Sequence, residues 1–365
     1  MRFVFKRSYD DDIKLFKHRP QFIYYLLLLI LLIALPWLID DFFLGEATNV
    51  LIWAIAGMGL MVLTGFTGQV SLGHAAFMAL GCYLNVILMQ NGVPFIISLP
   101  LAAILTGFAG AIIALPVLRL HGIYLAIATL AISILTEDII VIAKNWTGGV
   151  MGLVAEPIEI FGLDIDRYGT PVLFYFVVLF IVLFVLMVVR NLTRAPLGRA
   201  FTAIRDSEVS AQALGVNVTK TKATSFAISC AIVGLAGGLL GHYAGAFNHE
   251  TFNLVFSIQL LLMIVIGGLG SIHGAFFGAI IVGFLPQLIA ITRGSISSIF
   301  NLGSLPLPGI ESAAFAFILI VFILFEPRGI YGLWIKIRTY FELFPFYRKN
   351  MFKRQKTYLK TERMK

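Results

Sequence analysis

Residues 171–189 read PVLFYFVVLFIVLFVLMVV, nineteen positions without a charge, closed by Arg190. As a helix rising ~1.5 Å per residue, such a run is about 28 Å long, close to the ~30 Å hydrocarbon core of a bilayer. In lipid every backbone N–H and C=O must be satisfied within the protein, so the run reads as a membrane-spanning helix. Working outward, nine further apolar runs fall at 22–39, 47–64, 75–89, 95–118, 123–142, 223–247, 254–266, 275–291 and 312–325.

The composition agrees. Of 365 residues, 59% are hydrophobic and 13% charged, against about 25% charged in an average soluble chain. A single soluble core could not hide ten separate apolar runs, so lipid is the solvent these residues require. The expected fold is all-α, a polytopic transmembrane bundle of about ten spans, with eight to ten compatible with the pattern. The first run reads as a retained anchor rather than a cleaved signal, because Asp10, Asp11 and Asp12 interrupt its leading segment and Asp40 and Asp41 follow it. Cys82 and Cys230 sit inside apolar runs and read as small packing residues.

The net charge of +8 is explained by where the basic residues stand. Six Lys and Arg precede Pro20, six lie between Arg190 and Lys222, and eleven follow from Arg328 onward. Ten spans put all three clusters on one side, leaving Lys144, Arg167 and Arg293 opposite them and Arg119 in a short inside turn. The positive-inside rule then predicts that both termini are cytoplasmic. The basic tail reads as a segment held near anionic lipid, with no nucleic-acid partner required. The expected division is a basic extension (1–20), a transmembrane region (21–335) and a basic tail (336–365). Within the membrane region, 143–170 is the largest outside segment, long enough for a small cap, and 190–222 is the largest inside connection.

Two glycine-rich stretches interrupt the apolar pattern. Residues 64–74, TGFTGQVSLGH, contain Thr67, Gly68, Gln69, Ser71, Gly73 and His74; residues 267–274, GGLGSIHG, contain Gly267, Gly268, Gly270, Ser271 and His273. Neither is expected to form a good continuous helix, and irregular backbone at membrane depth is tolerated only against protein or a water-filled cavity. Paired interruptions of this kind point to a transport pathway, while tight small-residue packing accounts for them equally well. His74 and His273 have no carboxylate beside them and read as hydrogen-bonding histidines rather than metal ligands, as do His121, His242 and His249 near predicted span ends.

The inside connection carries a second motif. Arg205, Asp206, Ser207, Glu208, Ala211, Ala213, Leu214 and Gly215 suggest a helix of about two turns, capped by Asp206 or Ser207 and ended by Gly215. A helix this short is unstable alone in water, and its charged and small residues suit a groove on a partner protein. Residues 215–221 look briefly like a phosphate loop, but Lys220 stands where the second glycine is needed. No nucleophile elbow or zinc-binding helix is present, so ATP, if used, must be hydrolysed by another subunit.

Taken in order, TGQVSLGHAAF at 67–77, GIYLA at 122–126, Thr147-Gly148-Gly149 with Gly152-Leu153, Gly198-Arg199-Ala200 through Leu214-Gly215-Val216, and GGLGS at 267–271 closely resemble the LivM-type permeases of branched-chain amino acid ABC importers. The likeness covers roughly residues 45–335. It implies an importer in the bacterial cytoplasmic (inner) membrane, in which two permeases, here a heterodimer with a LivH-type partner, carry two cytoplasmic ATPases and receive substrate from a periplasmic binding protein. By this likeness the chain binds no cofactor itself, ATP and Mg belong to the ATPases, and 205–215 is the loop that docks on them. Its Ala211-Gln212-Ala213 departs from the Glu-Ala-Ala form of many importers.

The resemblance implies leucine, isoleucine and valine as substrates, with urea, short amides or other amino acids as alternatives. An ion-coupled secondary transporter is disfavoured because Glu137 and Asp138 are the only acidic pair inside an apolar run. A membrane hydrolase or passive channel is disfavoured because Ser71 with His74, or Ser271 with His273, lacks an acidic third member.

Overall fold

The computed structural model describes residues 19–117, 122–160, 162–300 and 329–343, with 313, 317, 320 and 324–326 besides. The helices are α1 (Arg19–Ala34), α2 (Asp41–Leu60), α3 (His74–Gln90), α4 (Phe95–Val117), α5 (Ile123–Ile142), α6 (Pro171–Arg194), α7 (Pro196–Asp206), α8 (Glu208–Ala213), α9 (Val218–Ala244), α10 (Leu254–Gly267), α11 (Ile272–Phe300) and α12 (Gly329–Leu343). Among the described residues, four two- or three-residue strands accompany them: β1 (Leu153–Val154), β2 (Ile158–Ile160), β3 (Leu163–Ile165) and β4 (Ala246–Phe247).

Among the described residues, seven helical stretches are long and apolar enough to cross a membrane, and two shorter apolar helices, Phe22–Trp37 and His74–Gln90, accompany them. The expected span at 312–325 lies largely outside the described residues, so the all-α polytopic class stands while the count of ten is not reached. Several boundaries move. The second run starts at Asp41 rather than 47, because Glu46 is buried and paired with Arg167 at 3.6 Å. The ninth extends through Phe300.

Helices α2 and α9 form the centre. Helix α2 packs against α6, α9 and α11, and α9 against α2, α3 and α4. Small residues allow this closeness: a methyl group on Gly81 would lie 2.1 Å from the Gly234 carbonyl oxygen, and one on Gly237 would lie 1.9 Å from that of Met78. With lipid as apolar as leucine, such backbone approach supplies the dispersion contacts that hold helices together. Large apolar side chains point outward instead, among them Tyr24 in α1, Ile127 and Leu135 in α5 and Phe180 in α6. On a soluble protein such a surface would drive aggregation; here it matches hydrocarbon.

The two ends of the bundle differ. At the hairpin end, β1 pairs antiparallel with β4 and β2 with β3, forming the small cap expected over 143–170. His242 joins it to the bundle, donating from Nδ1 to the Glu156 carbonyl at 3.0 Å and accepting from Asn85 Nδ2 at 2.9 Å. Arg167 lies over the Tyr243 ring at 3.9 Å beside Glu46. The opposite, basic end carries α7, α8 and both glycine-rich breaks.

Candidate functional site

The first break is shorter than the sequence suggests. Residues Met61–Phe66 continue α2 as a π-helical turn, so Thr64, Gly65 and Phe66 remain helical, and the irregular backbone runs from Gly68 to Gly73. Apart from the Gln69 side chain, the polar groups around it are largely engaged within the protein. Thr64 Oγ1 donates to the Gln69 carbonyl at 3.1 Å, Thr67 Oγ1 to the Val62 carbonyl at 3.0 Å, and the Leu72 amide to Thr129 Oγ1 at 3.0 Å. Ser71 and His74 are buried.

His74 opens α3 with both ring nitrogens engaged, at 2.9 Å from Ser71 Oγ and 2.9 Å from Ser229 Oγ. Ser229 donates its own proton to the Gly59 carbonyl at 2.7 Å, so Nε2 of His74 carries the hydrogen and Nδ1 accepts from Ser71. His74 therefore ties the start of α3 to α9 and, through Ser229, to α2.

The second break is confined to Gly268–Ser271, since α10 runs through Gly267 and α11 starts at Ile272. Ser271 Oγ donates to the Gly268 carbonyl at 3.2 Å and accepts from the Gly274 amide at 3.0 Å. The two histidines do not meet. His273 is exposed, 2.6 Å from the Tyr25 hydroxyl and stacked on Tyr331, whereas His74 lies in the interior.

The glycines do converge, and Arg205 joins them. Its Nη1 donates to the Gly65 carbonyl at 3.1 Å. A methyl group on Gly270 would lie 3.2 Å from that same nitrogen, and one on Gly68 would lie 2.9 Å from Arg205 Cγ. The Gly270 amide contacts Met61 Sδ at 3.2 Å. At Gly68, φ is +76°, a conformation that L-residues rarely adopt, so glycine lets the chain turn there beneath the arginine stem. One guanidinium from the connection between α6 and α9 thus bonds the π-helical end of α2 and lies close beside Gly270 of the second break. Nothing in the sequence revealed this contact, which spans 140 residues.

The connection carries the expected short helix and settles its start. Arg205 and Asp206 end the preceding helix α7, where Arg205 also grips Asp206 at 3.1 Å. Only Glu208–Ala213 forms the short helix, capped by Ser207, whose hydroxyl accepts from the Ser210 amide at 3.3 Å. Asp206 makes no such cap because it is still within α7. Beyond Leu214, Gly215 turns the chain with φ +86°. Ala211 is buried against the molecule, while Ala213, Leu214 and Val209 are exposed, the last two by 83% and 80%. Val209 is a docking candidate that sequence reading passed over, although an aliphatic residue beside charged ones on a short helix was a usable signal. Glu208 pairs at 2.5 Å with Lys222 of α9, a lysine that is only 5% exposed.

These features define a polytopic α-helical membrane protein with two broken spans that meet beside one polar connection. The sequence matches the family described as the branched-chain amino acid transport system permease component over residues 42–325, and the chain belongs to that family. It is 32% identical over 283 residues to the high-affinity branched-chain amino acid transport system permease protein LivM of Salmonella typhimurium, covering 72% of this chain and 67% of that protein. It is 33% identical over 276 residues to LivM of Escherichia coli K12, covering 70% of this chain and 65% of the relative. A probable LivH permease of Methanocaldococcus jannaschii is 26% identical over 298 residues, covering 80% of this chain and 91% of the relative. The chain thus spans about two thirds of the length of the two LivM relatives. No solved structure matches it.

Proposed function

We propose that this chain is the LivM-type membrane subunit of an ATP-driven importer that carries branched-chain amino acids into the bacterial cytoplasm. In this reading the basic end faces the cytoplasm, a LivH-type permease pairs with the chain, two ATPases dock on the basic end, and a periplasmic binding protein delivers substrate at the hairpin end. ATP and Mg are handled by the ATPases. The observation that carries the reading is the arrangement around α8. A six-residue helix, too short to persist alone, presents Val209 and Leu214 outward while Arg205, one connection away, bonds the end of α2 and lies beside Gly270 of the second break.

Mechanistically, closure of the ATPases on ATP shifts α8, and α7 and Arg205 carry the shift to the π-helical turn of α2 and to the α10–α11 turn. Those two elements have the irregular backbone needed to adopt two arrangements, so their equilibrium is the one the motor biases. The Glu208–Lys222 pair couples the same movement to α9.

The test is reconstitution of this chain with its partner permease and ATPases in proteoliposomes. Leucine uptake should require both ATP and the binding protein and should survive collapse of ion gradients. Uphill uptake by this chain without ATPase subunits, driven by an ion gradient, would overturn the importer reading.

A further inference from the structure

At the basic end a cavity of about 340 Å³ opens between the first break, the start of α5 and the α8–α9 junction. Its volume lies at the lower end of the ~300–1,000 Å³ range of small-molecule sites. The chemistry of its lining is unusual for a gap between helices. Glu208 and Lys222 place a carboxylate and an ammonium side by side, 2.5 Å apart. Gln69 also lines it, and although the residue is 5% exposed, both Nε2 and Oε1 of its side chain are buried without a hydrogen bond. Val70, Ile123 and Leu125 supply an aliphatic wall.

A buried amide with neither its donor nor its acceptor satisfied is costly and calls for a polar occupant. We propose that this cavity is a binding site for a zwitterionic aliphatic amino acid, a cytoplasm-side station of the transport pathway; this rests on the importer reading above. The ligand carboxylate joins Lys222, whose ammonium has three donors, and accepts from Gln69 Nε2. The ligand ammonium donates to Glu208, whose carboxylate has several lone pairs, and to Gln69 Oε1. The existing ion pair stays intact, each of its charges gaining an opposite partner from the ligand, and the side chain lies on Val70, Ile123 and Leu125. A simple anion fits poorly because Glu208 would repel it. Glu208 begins α8, so occupancy of the site and docking at α8 are linked through one residue, and each biases the other.

The test uses the assembled importer in nanodiscs, without binding protein or nucleotide, and tritiated L-leucine as probe. Binding should saturate. Unlabelled leucine should displace the probe at least ten-fold better than N-acetyl-L-leucine, which lacks the ammonium, or L-leucinamide, which lacks the carboxylate. Gln69→Leu should weaken binding at least ten-fold. So should Ile123→Trp, a change at a side chain 71% exposed, which fills the cavity without disturbing the core; size-exclusion chromatography checks that both complexes remain assembled. Absence of saturable binding, equal competition by either derivative, or wild-type binding in both variants would overturn the site. ATP-driven uptake by the same complexes in proteoliposomes supplied with binding protein separates the two ideas. Uptake with no direct binding removes this site alone, whereas direct binding with no ATP-driven uptake removes the importer reading alone.

Discussion

The Ser229 hydroxyl can give its one proton to Gly59 only if it accepts from His74, and that choice fixes the ring so that Ser71 must donate to it. His74→Leu keeps the bulk but leaves the buried Ser71 proton without its acceptor, at about 1–3 kcal/mol, and removes the donor to Ser229, which keeps its bond to Gly59. Thermal unfolding of the purified permease pair should show a clear fall in midpoint for this variant. An unchanged midpoint would mean that the histidine contributes nothing to joining α3, α9 and α2. Being hydrogen-bonded was foreseeable for His74, since no carboxylate neighbours it in the sequence. Its partner Ser229 lies 155 residues away and could not be read from local spacing.

At the scale of elements, α7 and α8 act as one arm bent at Ser207. Their division was hidden in the sequence because Asp206 and Ser207 are both good caps, and only the packing of α7 on α6 and α9 keeps Asp206 helical. Arg205→Ala removes the link to Gly65 while leaving the outward residues of α8 intact. We expect the ATPases to remain bound, ATP hydrolysis to continue, and leucine uptake per ATP to fall at least ten-fold, measured side by side in proteoliposomes. Arg205→Lys should rescue only partly, because an ammonium lacks the planar fork that reaches Gly65 and Asp206 together. Equal loss of hydrolysis and uptake would place Arg205 in docking rather than in transmission.

For the whole molecule, the sidedness argued from basic residues is open to direct labelling. Cys82 and Cys230 are both buried and unpaired, so the native chain should give little background with an impermeant maleimide. A cysteine placed at Gln212, exposed on α8, should react only in inside-out vesicles, and one at Glu159 of the exposed hairpin only in right-side-out cells. The reverse pattern would invert the topology and remove the importer direction with it.

Membrane class, the polar connection and both glycine breaks were legible in the sequence, because lipid imposes a helix on every long apolar run and interruptions stand out against it. Those are local consequences of hydropathy and backbone chemistry. Which groups the breaks touch was not legible, since Gly65, Gly270 and Arg205 come from segments far apart along the chain, and their meeting depends on how closely α2, α9 and α10 pack. The same holds for the unsatisfied amide of Gln69 and for Lys222 at Glu208. Whether a buried polar group has a partner is a property of three-dimensional neighbours, and no spacing along the chain encodes it.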